Sequence, residues 1–378
     1  MSKFIALPVG QGDAFYLDRG GFHVLVDGGK SKTAISNLLD NGCETKHLDV
    51  LVCTHNDSDH ANGVLGLLDN WDGTIDEVWL PGSWTHRMKD LFENPRVFVN
   101  ELVENISDMD FQENKDLTLE DVVLLDSPHS NEVNSEALDL SDIIDKSNDF
   151  SDFLFEVNSA YLGLDLLYYF ERHYFSDSFI SIFLDAMNAA NLIKTITELA
   201  FHKGAKIRFF DYGKHVSGGF SGILEPVNST EITGIRKREV SALQYIALST
   251  ANKESLVFYS PESTESPAVL FSADSDLNFS LPVVKHTKKP IITSPHHGSD
   301  ANATAYNVVL KWLGANLSPI WVRSDCKCKT RPGTAFKNQA CKFCTLCNCG
   351  LYPKQTVKLH SSDGIWLRTQ GTRVCSCR

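Results

Sequence analysis

Apolar and polar positions change period several times along the first 85 residues, switching between strand-like blocks and helix-like ones. Lys3–Pro8 and Ala14–Leu17 are apolar segments separated by Val9-Gly10-Gln11-Gly12-Asp13, whose glycines suit a tight turn. Phe22–Val26 predicts a third strand, closed by Asp27-Gly28-Gly29. Over Ser31–Asn41 the positions Ala34, Leu38 and Leu39 share one helical face, and Gly42 is a stop signal. Leu48–Cys53 then predicts a buried strand, Ala61–Leu68 a helix and Glu77–Leu80 another strand.

The pattern alters over residues 86–200. This stretch is acidic from Glu101 to Asp152, then rich in Tyr161, Leu166, Phe170, Phe175, Phe179 and Phe183 at spacings that predict helices with an apolar face. A helical insertion is the expectation. Its acidic part reads first as a solvated loop, with a surface for a protein partner as the alternative. Strands resume at Lys206–Phe210, Leu256–Tyr259, Ala268–Phe271, Pro290–Thr293 and Pro319–Val322. Strands alternating with helical stretches predict an α/β protein.

The chain has 378 residues, enough for one large or two ordinary domains. Its net charge is −13 and no block of lysine and arginine stands out. That argues against a protein that holds nucleic acid on a broad basic surface. A nuclease is not excluded, because bound metal ions supply local positive charge. The start, Met1-Ser2-Lys3-Phe4-Ile5-Ala6-Leu7, is too short for a secretory apolar region, and no uninterrupted apolar run reaches the roughly 18 residues of a membrane span. The expectation is a cytoplasmic protein with no membrane partner and reduced cysteines.

The chemistry concentrates at the predicted strand ends. His55-Asn56-Asp57-Ser58-Asp59-His60 follows the apolar run Val50–Cys53 by one residue and packs two imidazoles and two carboxylates into six positions. Such a cluster is read as a loop that folds several ligands around metal ions. Imidazole and carboxylate suit zinc, manganese or iron. Asp27 ends another strand, Asp274 ends Ala268–Phe271, and His296-His297-Gly298-Ser299 follows Ile291–Thr293. Neighbouring strand ends converge on one edge of a layered protein, so the four pieces predict one composite site. Gly10-Gln11-Gly12-Asp13 lacks the lysine and following helix of a phosphate-binding loop and reads as a turn, with Asp13 near that edge.

This set of motifs resembles the metallo-β-lactamase-fold hydrolases. The narrower likeness is to the ComEC type of competence hydrolase domain, through Val9–Ala14, Leu25–Gly29, Thr54–Gly63, Asn252–Val257 and Ser294–Ser299. The resemblance implies an αββα sandwich with metals at one edge. It implies a hydrolase core over 1–85 and 201–325 and leaves the acidic, helical insertion over 86–200 outside the resemblance. His55 and Asp57 would hold one divalent ion, zinc or manganese, with Asp57 where most of the family has histidine. Asp59, His60 and His297 would hold a second, and Asp274 would bridge the two. Asp27 would orient a ligand, Asp59 would accept a proton, and His296 would meet a substrate phosphate or the leaving group. A further motif histidine is expected before Asp274, and His86, His129, His173, His202 and His215 are its candidates. The implied activity is a phosphodiesterase or nuclease on nucleic acid or a nucleotide, in DNA processing or anti-phage defence. The alternatives are hydrolysis of a small ester, lactone or phosphoester, and a non-catalytic subunit that binds a partner.

Residues 326–378 form a separate signal, ending in the last core strands. Cys326, Cys328, Cys341, Cys344, Cys347, Cys349, Cys375 and Cys377 supply eight thiols. In a reducing compartment this spacing predicts one or two structural zinc ions, with disulfides or an iron–sulfur cluster as alternatives. Cys43 and Cys53 read as small apolar residues.

Overall fold

The computed structural model describes residues 1–109, 118–119, 121–122, 134–137, 139–147, 177–213, 222–237, 239–281, 286–314, 317–325, 331–345 and 354–377. His129, His173 and His215, the aromatic run 161–176, and Cys326, Cys328, Cys347 and Cys349 lie outside them. The chain divides into two compact units, one of residues 1–81, 199–232 and 252–378, the other of 82–198 and 233–251. Residues 233–251, expected within the hydrolase core, thus fall in the second unit. The strands after residue 341 fall in the first.

In chain order the first strands are β1 (Ser2–Ala6), β2 (Phe15–Arg19), β3 (His23–Val26), β4 (His47–Val52), β5 (Thr74–Pro81), β6 (Asn134–Ala137), β7 (Lys206–Tyr212), β8 (Glu225–Pro226) and β9 (Ser229–Ile232). Then come β10 (Gly234–Lys237), β11 (Phe258–Ser260), β12 (Val269–Phe271), β13 (Ile291–Thr293), β14 (Ile320–Arg323), β15 (Lys342–Cys344), β16 (Val357–Ser362) and β17 (Ile365–Arg368). The first unit holds a nine-stranded sheet, β17-β16-β1-β2-β3-β4-β5-β7-β9, and a six-stranded sheet, β15-β14-β13-β12-β11-β8.

The two sheets share one apolar layer. Alternate residues Val24 and Val26 of β3, Val50 and Val52 of β4, and Phe4 and Phe15 meet Val269, Phe271, Ile291 and Val322 from the other sheet. On the far side of the six-stranded sheet, Leu270, Ile292 and Trp321 pack with Tyr306, Val309 and Leu313 of the helix Ala303–Leu313 and with Phe336. On the nine-stranded sheet, β3, β4, β5 and β7 are mutually parallel, and parallel neighbours need crossovers. The helices Ala34–Leu38 and Ser58–Asn70 are two of them, the second burying Ala61, Val64, Leu65, Leu67 and Leu68. This is the expected αββα arrangement of sheets and helices. Strands β12 to β15 are parallel as well, so both sheets bring carboxyl-terminal strand ends to the edge where loops can build a site.

Two local differences from the sequence reading matter. The helix after β4 starts at Ser58, not Ala61, so Asp59 and His60 stand on its first turn instead of in a loop. Asp57 caps that helix by accepting the Ser58 amide at 2.6 Å, and Asp59 in the first turn favours the positive end of the helix dipole. The helix Ser178–His202 is also long and apolar enough to cross a membrane by length and composition, with 61% of its apolar window buried. Scattered polar residues such as Asp185, Asn188 and Lys194 break its apolar run.

In the second unit, the helices Pro95–Ser107 and Ala242–Thr250 pack through an edge-on Phe98–Tyr245 pair, and the Tyr245 hydroxyl donates to Trp84 O at 2.7 Å. Ser241 and Gln244 form a reciprocal cap on the later helix. Strands β6 and β10 pair antiparallel.

The helix Ser58–Asn70 is seated by backbone-to-backbone contact. Gly63 N donates to Gly29 O at 2.8 Å and Gly28 N to His60 O at 3.1 Å. A Cβ on Gly63 would sit 1.9 Å from Gly28 O, with no flexible side chain to move aside. Gly63→Ala is therefore expected to lower stability by about 1–3 kcal/mol or more, as overpacking does, read as a drop in the urea midpoint of unfolding.

Candidate metal centre

The centre is built from carboxylates and imidazoles on the loops that follow β1, β3, β4, β12 and β13 and on the first turn of the helix Ser58–Asn70. Asp27 is the first fixed point. It adopts φ 60°, an uncommon conformation for a residue with a side chain, and its carboxylate is buried. One oxygen accepts the Thr54 amide at 2.9 Å, and the other accepts the Thr54 hydroxyl and His60 Nδ1, both at 2.8 Å. The Thr54 hydroxyl, having donated to Asp27, accepts from His55 Nδ1 at 3.0 Å. Both rings are thereby held by Nδ1–H, which leaves each Nε2 lone pair available.

Asp13 plays the same part for the other side. It sits at the end of the β1–β2 turn, fully buried, and accepts from His297 Nδ1 at 3.0 Å. His297 Nε2 then lies 3.2 Å from His60 Nε2, 3.4 Å from Asp274 and 3.4 Å from Asp59. Asp274 is also 3.2 Å from His60 Nε2. Asp13, His60, Asp274 and His297 each offer one ligand atom within 4.8 Å of the others, and all four are buried. His296 stands outside this group with its side chain 25% exposed and Nε2 3.5 Å from Asp274. Ala273, His296 and His297 all have positive φ (46°, 46° and 53°), so strained backbone surrounds the cluster on the β12 and β13 loops.

A second layer braces it. Arg323, fully buried at the end of β14, donates Nε to His297 O at 2.5 Å and NH2 to Asp325 at 2.6 Å. Asp325 also accepts the Gly12 amide at 3.1 Å. Arg331 reaches Asp325 at 3.4 Å and Asp59 at 3.6 Å. Gly12 is at φ 96°, and any Cβ there would strike Asp59 O at 1.7 Å. Glycine is what lets the turn carrying Asp13 approach the first turn of the helix.

Charge and burial oppose each other throughout. Burial disfavours imidazolium at His60 and His297, yet Asp274, with Asp27 beside the first and Asp13 beside the second, raises both well above the ordinary histidine value. Burial and then His60 push His55 down to about 4, so it stays a neutral imidazole. Against its burial, His297 and His60 hold Asp274 well below the carboxylate range and Asp59 below it. Burial, then Asp59, raises Asp57. Asp13 is raised by burial, which His297 only partly offsets.

This environment fits divalent ions. His60 Nε2 and His297 Nε2 approach to 3.2 Å, close enough to share one cation. His55 Nε2, Asp59 Oδ1 and Asp13 Oδ2 are buried with no hydrogen-bond partner among the described residues, a costly state that ligation relieves.

The sequence reading placed Asp27, His55, Asp57, Asp59, His60, Asp274, His296 and His297 at one site. The structure gathers His60, Asp274 and His297, with Asp59 against His297 and the His55 ring tilted 54° to that of His60, their centres 4.2 Å apart. One Asp57 oxygen is engaged in capping the helix. Asp13, expected only near that edge, holds a ligand, and Thr54, Arg323, Asp325 and Arg331 join the site with no counterpart in the sequence reading. Of the candidate motif histidines, His86 is buried in the second unit, and His202 is exposed at the end of its helix.

Residues 7–122 match the family model described as Metallo-beta-lactamase superfamily. That stretch carries Asp13, Asp27, His55, Asp59 and His60, while Asp274 and His297 come from beyond it. No curated protein matches the chain. The match covers under a third of the chain, and the two-sheet architecture is consistent with a metallo-β-lactamase fold. They support a metal-dependent hydrolase in general, and the fold implies divalent ions that the buried cluster suits.

Two expectations follow from the orienting carboxylates and the histidines they hold. Asp27→Ala and Asp13→Ala should each weaken metal binding about 10- to 100-fold, the usual effect of removing a group that orients a ligand, as read by competition with a chelating dye. Metal must also displace protons from His60 and His297, whose protonated forms their carboxylate neighbours favour. Affinity should therefore fall as pH falls, and calorimetry in buffers of different ionisation enthalpy should show protons released on binding.

Proposed function

We propose that the protein is a metal-dependent phosphodiesterase, specifically a nuclease acting on nucleic acid or a nucleotide. The observation that carries this reading is the donor set. The buried cluster sets the carboxylates of Asp13 and Asp274, with Asp59 against His297, beside the imidazoles of His60 and His297, a harder set than an all-imidazole site and one that favours manganese over zinc. His55 and Asp57 would hold one ion, Asp59, His60 and His297 the other, with Asp274 between them. When bound, the ions supply Lewis acidity toward a phosphoryl group and a nucleophile at neutral pH.

The chain's own residues do the remaining work. Asp59 Oδ1, buried and without a hydrogen-bond partner among the described residues, is available to accept a proton. His296, the more exposed histidine of its pair, can meet a phosphate oxygen or give a proton to the leaving group. Arg331, 3.6 Å from Asp59, adds a fixed positive charge for an anionic substrate. Asp27, Thr54 and Asp13 hold the rings in register. The likeness to ComEC-type domains at the loops carrying these residues extends the proposal to DNA processing or defence against foreign DNA.

The net charge of −13 favours a second reading, hydrolysis of a small ester, lactone or phosphoester. The two separate on one panel of substrates. Protein loaded with Mn²⁺ or Zn²⁺ should cut labelled DNA or RNA, and Asp59→Ala should slow it about 100-fold or more, as loss of a proton acceptor does, with circular dichroism unchanged. Turnover of chromogenic esters or lactones alone would favour the second reading. Undiminished cleavage by Asp59→Ala would overturn the assignment of that residue.

A further inference from the structure

In the first unit, away from the ligands named above, Cys375 of the C-terminal segment lies against both Cys344 and Cys377. Cys344 ends β15 and is fully buried, and Cys375 and Cys377 are each 5% exposed. The Cys375 amide donates to Lys342 O at 3.0 Å, which lays the C-terminal segment along β15. Gln355 clamps it there, donating to Cys344 O at 2.9 Å and Arg373 O at 3.0 Å while accepting the Arg373 amide at 2.9 Å. All three are free thiols, and the Cys375 sulfur is within hydrogen-bonding reach of both the others.

A second observation points to a ligand. Arg323, whose side chain is wholly buried, aims NH1 at Cys344 Sγ at 3.3 Å and commits its other nitrogens to His297 O and Asp325. A guanidinium directed at a buried sulfur favours the thiolate, the form that binds metal. Packing Cys375 against Cys344 and Cys377, and then burial, pushes its thiol up, so the sulfurs alone are poor company for one another. A soft divalent cation among them removes that conflict and takes N–H···S bonds from outside as support. Among the described residues after β17, Val374 is exposed, and the buried side chains include Thr372 and the two cysteines.

We propose that Cys344, Cys375 and Cys377 bind one Zn²⁺, which pins the C-terminal segment to β15. The site is distinct from the histidine centre and does not depend on the reaction proposed for it. Three thiolates occupy three of the four positions that structural zinc takes.

Cobalt substitution tests this on the full-length protein. After metal removal under reducing conditions, Co²⁺ should give a sulfur-to-cobalt charge-transfer band in the near ultraviolet. That band should persist in His60→Ala, which disables the histidine centre, and should be lost in Cys375→Ser and Cys377→Ser. Zinc content of the purified protein should fall by one equivalent in the same two cysteine variants. Absence of the band from the reduced wild-type protein would overturn the proposal, and this readout needs no variant to fold. So would a band of full strength in both serine variants, or a thiol count on unreduced protein that finds Cys375 or Cys377 in a disulfide.

Discussion

The buried carboxylate of Asp27 is the constraint on which the centre depends. An ionised carboxylate taken out of water is costly unless donors surround it, and three surround this one. Those donors come from Thr54, just after β4, and from His60, on the first turn of the next helix. Satisfying Asp27 therefore fixes where β3, β4 and that helix stand relative to each other. It also sets the ring orientation of His60 directly and of His55 through the Thr54 hydroxyl. One electrostatic requirement serves both the packing of the sheet edge and the chemistry above it.

The Asp13–His297 pair repeats this device from the other sheet. Both pairs bury a carboxylate behind an imidazole, and both turn Nε2 toward Asp274. The cost is visible in the backbone, where Asp27, Ala273, His296 and His297 all hold positive φ. Such conformations cost on the order of 1–3 kcal/mol each and persist where the surroundings over-determine them. Here Arg323, gripping the His297 carbonyl from below, is one of the groups that does so.

Much of this was legible in the sequence because parallel strands buried on both faces read as short apolar runs. Val50–Cys53 and Ile291–Thr293 each run into ligand-type residues, and that pattern brings Asp27, the His55–His60 stretch, Asp274 and the His296-His297 pair to one edge, while the choice of His297 over His296 rests on the family resemblance. The helix start at Ser58 was missed although Asp57-Ser58-Asp59 is a recognisable capping sequence, because the histidines on either side drew the stretch into a loop. The turn places Asp13 near the edge but does not reveal its role. Its partner is remote in sequence, and no local period encodes that contact. Arg323 carries a signal that went unused, a charged residue closing the apolar run Ile320-Trp321-Val322. The assignment of 233–251 to the second unit has no local signature, since it depends on which distant helix Ala242–Thr250 packs against.

The pair Asp13 and His297 is separated by 284 positions. Closing so long a loop is entropically costly and comes only when the segments between have found their places. A growing chain thus exposes His55 and His60 long before it can offer His297, and for that interval it has only part of a binding site. Tight metal capture becomes possible when the two ends of the unit join. Occupancy of the centre would then mark molecules that have finished folding, and scarce metal would go to them before it went to incomplete chains.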